Sequence, residues 1–194
     1  MKKDYNIILS SNSPRRKELL AGLDLRFEVR VIPDIDESYP EELPVKETAE
    51  YIAVKKAEAY RAVMQDNDLV LTADTVVILG DKVLGKPADL DDAKAMLRML
   101  SGQTHQVITG VCLTTKDNQR HFSVTTDVTF DNLSEDEINY YVEHYKPLDK
   151  AGAYGIQEWI GHVGVTSIKG SYFNVMGLPV QRIYAEIKKL INDL

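Results

Sequence analysis

The chain has 194 residues, 44% of them hydrophobic and 27% charged, with a formal net charge of −7. That length suits one domain or two closely joined lobes around a packed core, and the acidic balance argues against general affinity for nucleic acid, which needs a basic footprint. Cys112 is the single cysteine, so an internal disulfide and a thiolate-rich metal site are both excluded.

The opening MKKDYNIILSS carries two lysines, but its apolar run is only IIL, well short of the roughly 7–15 residues of a signal-peptide core. No stretch approaches the ~20 apolar residues of a membrane span. The reducing cytoplasm is the expected location, with no membrane partner. YNIILS reads as a short buried strand. A phosphate-sized loop follows, then a helix from about Pro14 to Leu23, with Ser13 as its N-cap and Pro14 as its first residue. Arg15, Arg16 and Lys17 fill the first turn, where the helix dipole is already positive. That arrangement calls for an anion at the helix end.

RFEVRVI alternates as a strand, and DIDESYPEELP is an acidic, proline-bounded loop. Residues 44–65 carry a long amphipathic helix with Val45, Ala49, Ile52, Ala53, Tyr60, Val63 and Met64 on one stripe. DLVLTADTVVIL, residues 68–79, is a continuous apolar run of the kind found in strands covered on both faces. GDK turns it into VLG as a hairpin. DLDDAKAMLRMLSG is a helix with an acidic first turn and Gly102 as its stop. THQVITGVCLTT and HFSVTTDVTF pair as a longer hairpin around KDNQ, with Cys112 as core filling. SEDEINYYVEHY places Ser134 and Glu137 at capping-box spacing. The Gly-rich DKAGAYGIQ precedes further strand-like sequence, and PVQRIYAEIKKLIND closes as a helix. No repeat, low-complexity tract or linker interrupts the chain. The pattern predicts an α/β fold with a mixed sheet and flanking helices.

Several polar residues break their surroundings. At ~100° per residue, Lys56 falls inside the apolar stripe of Ile52, Ala53 and Tyr60, whereas Lys55 falls well off it. Its stem either packs while its head reaches water, or the ammonium faces an internal cleft and an anion. Asp74 interrupts an apolar strand, on the face of Val70, Thr72, Val76 and Ile78; a bare carboxylate there is costly, so it is hydrogen-bonded, holds a metal or activates water. Lys86 lies in a turn, Asp36 and Glu37 in the acidic loop, and Gln157 in GIQ. Gly80, Gly85 and Lys86 fit the start of a P-loop, but Pro87 replaces the Mg²⁺-binding hydroxyl and the stretch reads as a hairpin. Together the carboxylates suit Mg²⁺ or Mn²⁺, while arginine, lysine and the Ser13 helix start suit phosphate. A phosphate-ester or polyphosphate site follows from the residues alone.

The stretches LSSNSPRRKELL, KKA, ADTVV, LGKPAD, LSGQTHQVITGV, PLDKAGAYGIQ and GSYFNVMGLPV, in that order, resemble the Maf family of nucleoside triphosphate pyrophosphatases, also known as septum-formation proteins. The resemblance spans nearly the whole chain as a single Maf-like domain, 1–194. It implies an elongated α/β fold related to the inosine triphosphatase-like pyrophosphatases, with a central cleft between two lobes. It implies hydrolysis of a nucleoside triphosphate to monophosphate and pyrophosphate with a divalent metal. Asp74 matches the catalytic acid–base carboxylate, in a position to activate water or hold the metal. Arg15, Thr75 and Gln157 match positions tied to substrate choice, and Arg16, Lys56 and Lys86 the phosphate-facing cations. Glu37 matches the acidic position near the metal; Asp36 and Asp89 are weaker matches. DTVV and GIQ resemble the branch acting on dTTP and UTP, whereas the 7-methyl-GTP branch carries Gln after the aspartate. The rival role is a nucleotide-binding regulator of septum formation acting through a protein partner. Hydrophobic strand edges are compatible with a homodimer.

Overall fold

In a computed structural model, which describes residues 5–192, the apolar run at 68–79 forms one unbroken strand, β3 (Asp68–Leu79). It joins a seven-stranded mixed sheet with β1 (Asn6–Leu9), β2 (Phe27–Val29), β4 (Lys82–Leu84), β5 (Thr104–Thr114), β6 (Gln119–Phe130) and β7 (Val165–Lys169). The strand order is β2-β1-β3-β5-β6-β7, with β4 paired to β3. β1 runs parallel to both β2 and β3, whereas the β3–β4 and β6–β7 pairs are antiparallel. The expected α/β class and mixed sheet with flanking helices are therefore present.

The chain forms two interleaved compact units. The first takes residues 5–74, 109–124 and 177–192 and carries α1 (Pro14–Ala21), α2 (Thr48–Glu58) and α7 (Val180–Asn192). Its core includes Ile8, Tyr60, Met64 and Val70, and a second cluster of Ala53, Ala57 and Cys112. Cys112 is the core filler its sequence context indicates: it is fully buried, and burial pushes its thiol up to about 11. The second unit takes Thr75–Ile108 and Thr125–Met176, with α3 (Leu90–Leu100), α4 (Glu135–Tyr145), α5 (Trp159–Gly164) and α6 (Tyr172–Met176). Its core packs Val77, Leu97, Leu100, Phe130, Ile138, Tyr141, Val142, Tyr154, Ile156 and Ile160.

Local rules hold at the helix ends. Ser134 and Glu137 make the reciprocal capping box. Asp89 caps α3 by accepting from the Asp92 N–H at 2.8 Å, and Gly102 follows α3 in the left-handed region at φ 67°.

Three departures have tertiary causes. The helix predicted over 44–65 is a 3₁₀ turn, Val45–Glu47, followed by α2, which stops at Glu58. Beyond it the Tyr60 and Arg61 N–H groups bond only three residues back, to Ala57 and Glu58. Tyr60 is fully buried there, donating to the Arg30 carbonyl at 2.5 Å and accepting from the Ile32 N–H at 3.1 Å. Val63 is exposed rather than part of the stripe. The same contact shortens β2 to three residues, because the chain leaves the sheet edge to reach Tyr60. Finally, the segment after GIQ holds two short helices, α5 and α6, besides strand β7.

Candidate active site

In the first unit, α2 lies directly on the sheet. A Cβ on Gly110 of β5 would sit 2.3 Å from the Ala49 and Glu50 backbone, so only glycine admits the helix this close. Thr72 of β3 donates to the Ala53 carbonyl at 2.7 Å. Two residues along the same strand face, and three along the helix, Lys56 Nζ donates to Asp74 Oδ1 at 2.9 Å. The strand period of two and the helix step of three thus bring the two residues into register.

Lys56 also meets Glu37 Oε1 at 3.0 Å. Its side chain is 13% exposed and that of Asp74 16%, against 31% for Lys55. Of the two readings that the apolar stripe allows, the structure has the Lys56 head turned inward, against two carboxylates. Such a partly buried, doubly paired ammonium loses far less than a lone one.

The acidic loop is held by the neighbouring lysine. Lys55 Nζ donates to Asp36 Oδ2 at 2.7 Å and to the Ser38 carbonyl at 2.8 Å, while the Ser38 N–H and hydroxyl donate to Asp36. The hydrogen bond from Lys55 and those from Ser38 keep the Asp36 carboxyl well below the usual carboxylate range. Adjacent lysines on one helix thus take adjacent acids on one loop. Asp36 secures the loop and Glu37 reaches Lys56.

Ser13 caps α1, its hydroxyl accepting from the Arg16 N–H at 3.4 Å. Of the three first-turn cations, Arg16 has a structural answer to the charge at that helix end. Its Nε donates to the Gly177 carbonyl at 2.8 Å and an Nη donates to the Ala73 carbonyl at 2.9 Å. Burial pulls its pKa below the ordinary value; the Asp74 charge opposes this, Arg15 reinforces it, and Glu37 opposes it again. Arg15, Glu37 and Asp74 are therefore all electrostatic neighbours of Arg16, which stays protonated regardless. The backbone grip of Arg16 on the residue before Asp74 is a role that sequence reasoning alone misses.

The second unit holds Thr75, Lys86, Asp89 and Gln157. Lys86 is exposed and Gln157 partly buried. The Gly152 N–H donates to the Gly85 carbonyl at 3.0 Å, and a Cβ on Gly152, whose φ is +69°, would lie 2.9–3.1 Å from the Val77 side chain. The Gly-rich segment leading to Gln157 therefore packs between the strand that begins this unit at Thr75 and the turn that carries Lys86. Asp89 is occupied as a helix cap.

Glu37 and Asp74 offer hard carboxylate oxygens converging on one cationic centre, the donor type that Mg²⁺ and Mn²⁺ take. Among the described residues no group of three or more His, Cys, Asp or Glu side chains is arranged to hold a metal. Both carboxylates are paired with the Lys56 ammonium, Glu37 at 3.0 Å and Asp74 at 2.9 Å. Among the described residues no helix is long and apolar enough to cross a membrane.

A family model described as Maf-like protein matches residues 6–190. The chain is 62% identical over 186 residues to a dTTP/UTP pyrophosphatase from Phocaeicola vulgatus, covering 96% of each chain. It is 60% identical to a dTTP/UTP pyrophosphatase from Bacteroides thetaiotaomicron at the same coverage. Among solved structures, a HAM1 protein from Coxiella burnetii aligns over 96% of this chain and 100% of its own, at TM-score 0.49 and 15% identity. The near-complete family match and the two high identities lead to one conclusion: this chain is a member of the Maf-like protein family.

Proposed function

We propose that the protein is a nucleoside triphosphate pyrophosphatase that hydrolyses dTTP and UTP to the monophosphate and pyrophosphate in the cytoplasm. Support comes from the full-length relatives carrying that activity in their names. The observation that carries the chemistry is the Asp74 carboxylate hydrogen-bonded to Lys56 with Glu37 on the same ammonium.

In the proposed reaction Asp74 is the acid–base group. Its Oδ1 accepts from Lys56, and the carboxylate orients water and takes its proton. The water oxygen bonds to the α-phosphorus, the bridging bond to the β-phosphate breaks, and pyrophosphate departs with that electron pair. In the first unit Arg15, Arg16, Lys56 and the Ser13 end of α1 are the groups suited to phosphate, the arginines through paired N–H donors and the lysine as a point charge; in the second unit Lys86 is the corresponding cation. Thr75 and Gln157 select the pyrimidine edge; a site built on such hydrogen bonds strongly rejects a base that cannot complete them. Glu37 and Asp74 would hold a Mg²⁺ or Mn²⁺ ion. Bound there, the ion supplies neutralisation of the charge developing on the phosphate oxygens.

A panel of nucleoside triphosphates scored by pyrophosphate release, with and without chelator, tests the proposal. Turnover of UTP and dTTP that stops with chelator and returns with Mg²⁺ or Mn²⁺ is expected. Preference for GTP or 7-methyl-GTP, or binding without turnover, overturns it.

A further inference from the structure

Gly155–Glu158 forms a tight turn closed by the Glu158 N–H donating to the Gly155 carbonyl at 2.9 Å, with Gln157 at its third position. One phenol pins both ends of that turn. The Gly155 N–H donates to Tyr141 Oη at 3.0 Å, and the Tyr141 hydroxyl in turn donates to Glu158 Oε2. The other carboxylate oxygen, Oε1, receives Lys150 Nζ at 3.0 Å, and Lys150 also meets Asp149 at 2.8 Å.

This clamp is built in rather than draped on the surface. Tyr141 is fully buried on α4, and the Lys150 side chain is 10% exposed. A Cβ on Gly155 would stand 2.8 Å from the Glu158 carboxyl carbon and 2.9 Å from Lys150 Cε, so the turn and the ion pair occupy all the room between them. Ile156, the turn's second residue, is buried in the core beside Ile160. A Cβ on Gly161 would lie 1.8 Å from the Ile156 carbonyl, closing the far side. Burial and the Glu158 carboxylate both raise the Tyr141 pKa, so the phenol keeps its proton and remains a donor. Every residue but Gln157 in this turn is thus anchored by backbone, core or charge.

We propose that Tyr141, Glu158 and Lys150 are positioning residues for base selection, holding the Gln157 turn in the one geometry that distinguishes a uracil or thymine edge from a cytosine edge. The inference rests on the pyrimidine triphosphate reading above. It deepens that reading by assigning selectivity to three residues that do not touch the substrate. A rigid turn keeps mismatched hydrogen bonds unmade, whereas a loose one lets Gln157 adapt to the wrong base.

Tyr141→Phe removes only the hydroxyl, and Glu158→Gln keeps the shape while removing the charge. The test measures kcat and KM for UTP and CTP in wild type, both variants, Gln157→Ala and the Tyr141→Phe/Gln157→Ala double variant, with hydrogen exchange at the Gly155 amide. Each single clamp variant should lower the UTP-over-CTP ratio of kcat/KM about tenfold, mainly through KM, and Tyr141→Phe should speed Gly155 exchange. In the double variant the ratio should fall no further than with Gln157→Ala alone. A purely structural role predicts lower thermal stability with an unchanged ratio. That result in a selective wild type, or additive losses in the double variant, overturns the inference and leaves the functional reading standing. A wild type that turns over no pyrimidine triphosphate removes the functional reading, and the inference falls with it.

Discussion

Lys56 and Asp74, eighteen residues apart in sequence, meet at 2.9 Å because a helix face and a strand face are locked in register by Thr72, two residues earlier on the strand, and Ala53, three earlier on the helix. The pairing gives each residue what burial would otherwise deny it. The ammonium finds two carboxylates and the carboxylate finds a donor.

Asp74→Asn should therefore separate chemistry from folding. The amide keeps the size and can still accept from Lys56, so the melting temperature should shift little. The proton acceptor is lost, and general-base help is worth about 10²–10⁴-fold. Steady-state kinetics on UTP should show kcat reduced by at least about 10² with KM within a few-fold. A variant with near wild-type kcat removes Asp74 from the reaction.

Arg16 distinguishes charge from shape. Its planar fork spans two carbonyls, Gly177 at 2.8 Å and Ala73 at 2.9 Å, the second belonging to the residue just before Asp74. Arg16→Lys retains the positive charge but cannot reproduce that fork. Loss of the two charge-assisted hydrogen bonds should destabilise the protein by about 2 kcal/mol and lower kcat/KM by at least about tenfold. Urea denaturation alongside kinetics decides. Full stability with reduced activity would mean that the phosphate, not the backbone, is the main partner of Arg16.

These features were unequally legible in the sequence. The strand at 68–79 follows from its continuous apolar run, and helical spacing puts Lys56 on the apolar stripe; that its head meets two carboxylates rather than reaching out to solvent is decided by the fold. The end of α2 at Glu58 depends on the Tyr60 hydroxyl reaching Arg30 and Ile32, partners some thirty residues away, which no window of sequence contains. The helices at 159–164 and 172–176 are shorter than two helical turns, too brief to show a period. Asp36 and Glu37 look equivalent as neighbours in an acidic loop, and only the fold divides them between Lys55 and Lys56. Tyr141 is visible as one more apolar position on α4; its grip on the Gln157 turn is a tertiary fact.

Gly110→Ala tests how tightly α2 must sit. The added methyl would lie 2.3 Å from the Ala49 and Glu50 backbone, and backbone cannot rotate aside as a side chain can. Overpacking of this kind costs about 1–3 kcal/mol or more, and the helix it displaces carries Lys55 and Lys56. Urea unfolding should show a loss near the upper end of that range, and the folded fraction should have reduced kcat/KM. Unchanged stability would contradict the close approach of α2 to β5.

His105 sets an acid limit on stability. It is 1% exposed, with Nε2 at 2.7 Å from Tyr154 Oη and, among the described residues, no hydrogen-bond partner for Nδ1. Burial pushes its pKa down to about 4, whereas in the unfolded chain it returns to about 6.5. Between these values the unfolded chain binds the proton and the folded chain does not, so stability falls as pH drops through that window. Going from about pH 7 to about pH 5 should remove roughly 2 kcal/mol through this residue alone, taking 1.36 kcal/mol per pKa unit. Because acidic side chains also titrate near the lower limit, the decisive comparison is with His105→Gln, which keeps a polar partner for Tyr154 but cannot be protonated. Urea denaturation at the two pH values should show the wild type losing about 2 kcal/mol more than the variant. Equal losses would mean that His105 takes up its proton inside the folded protein.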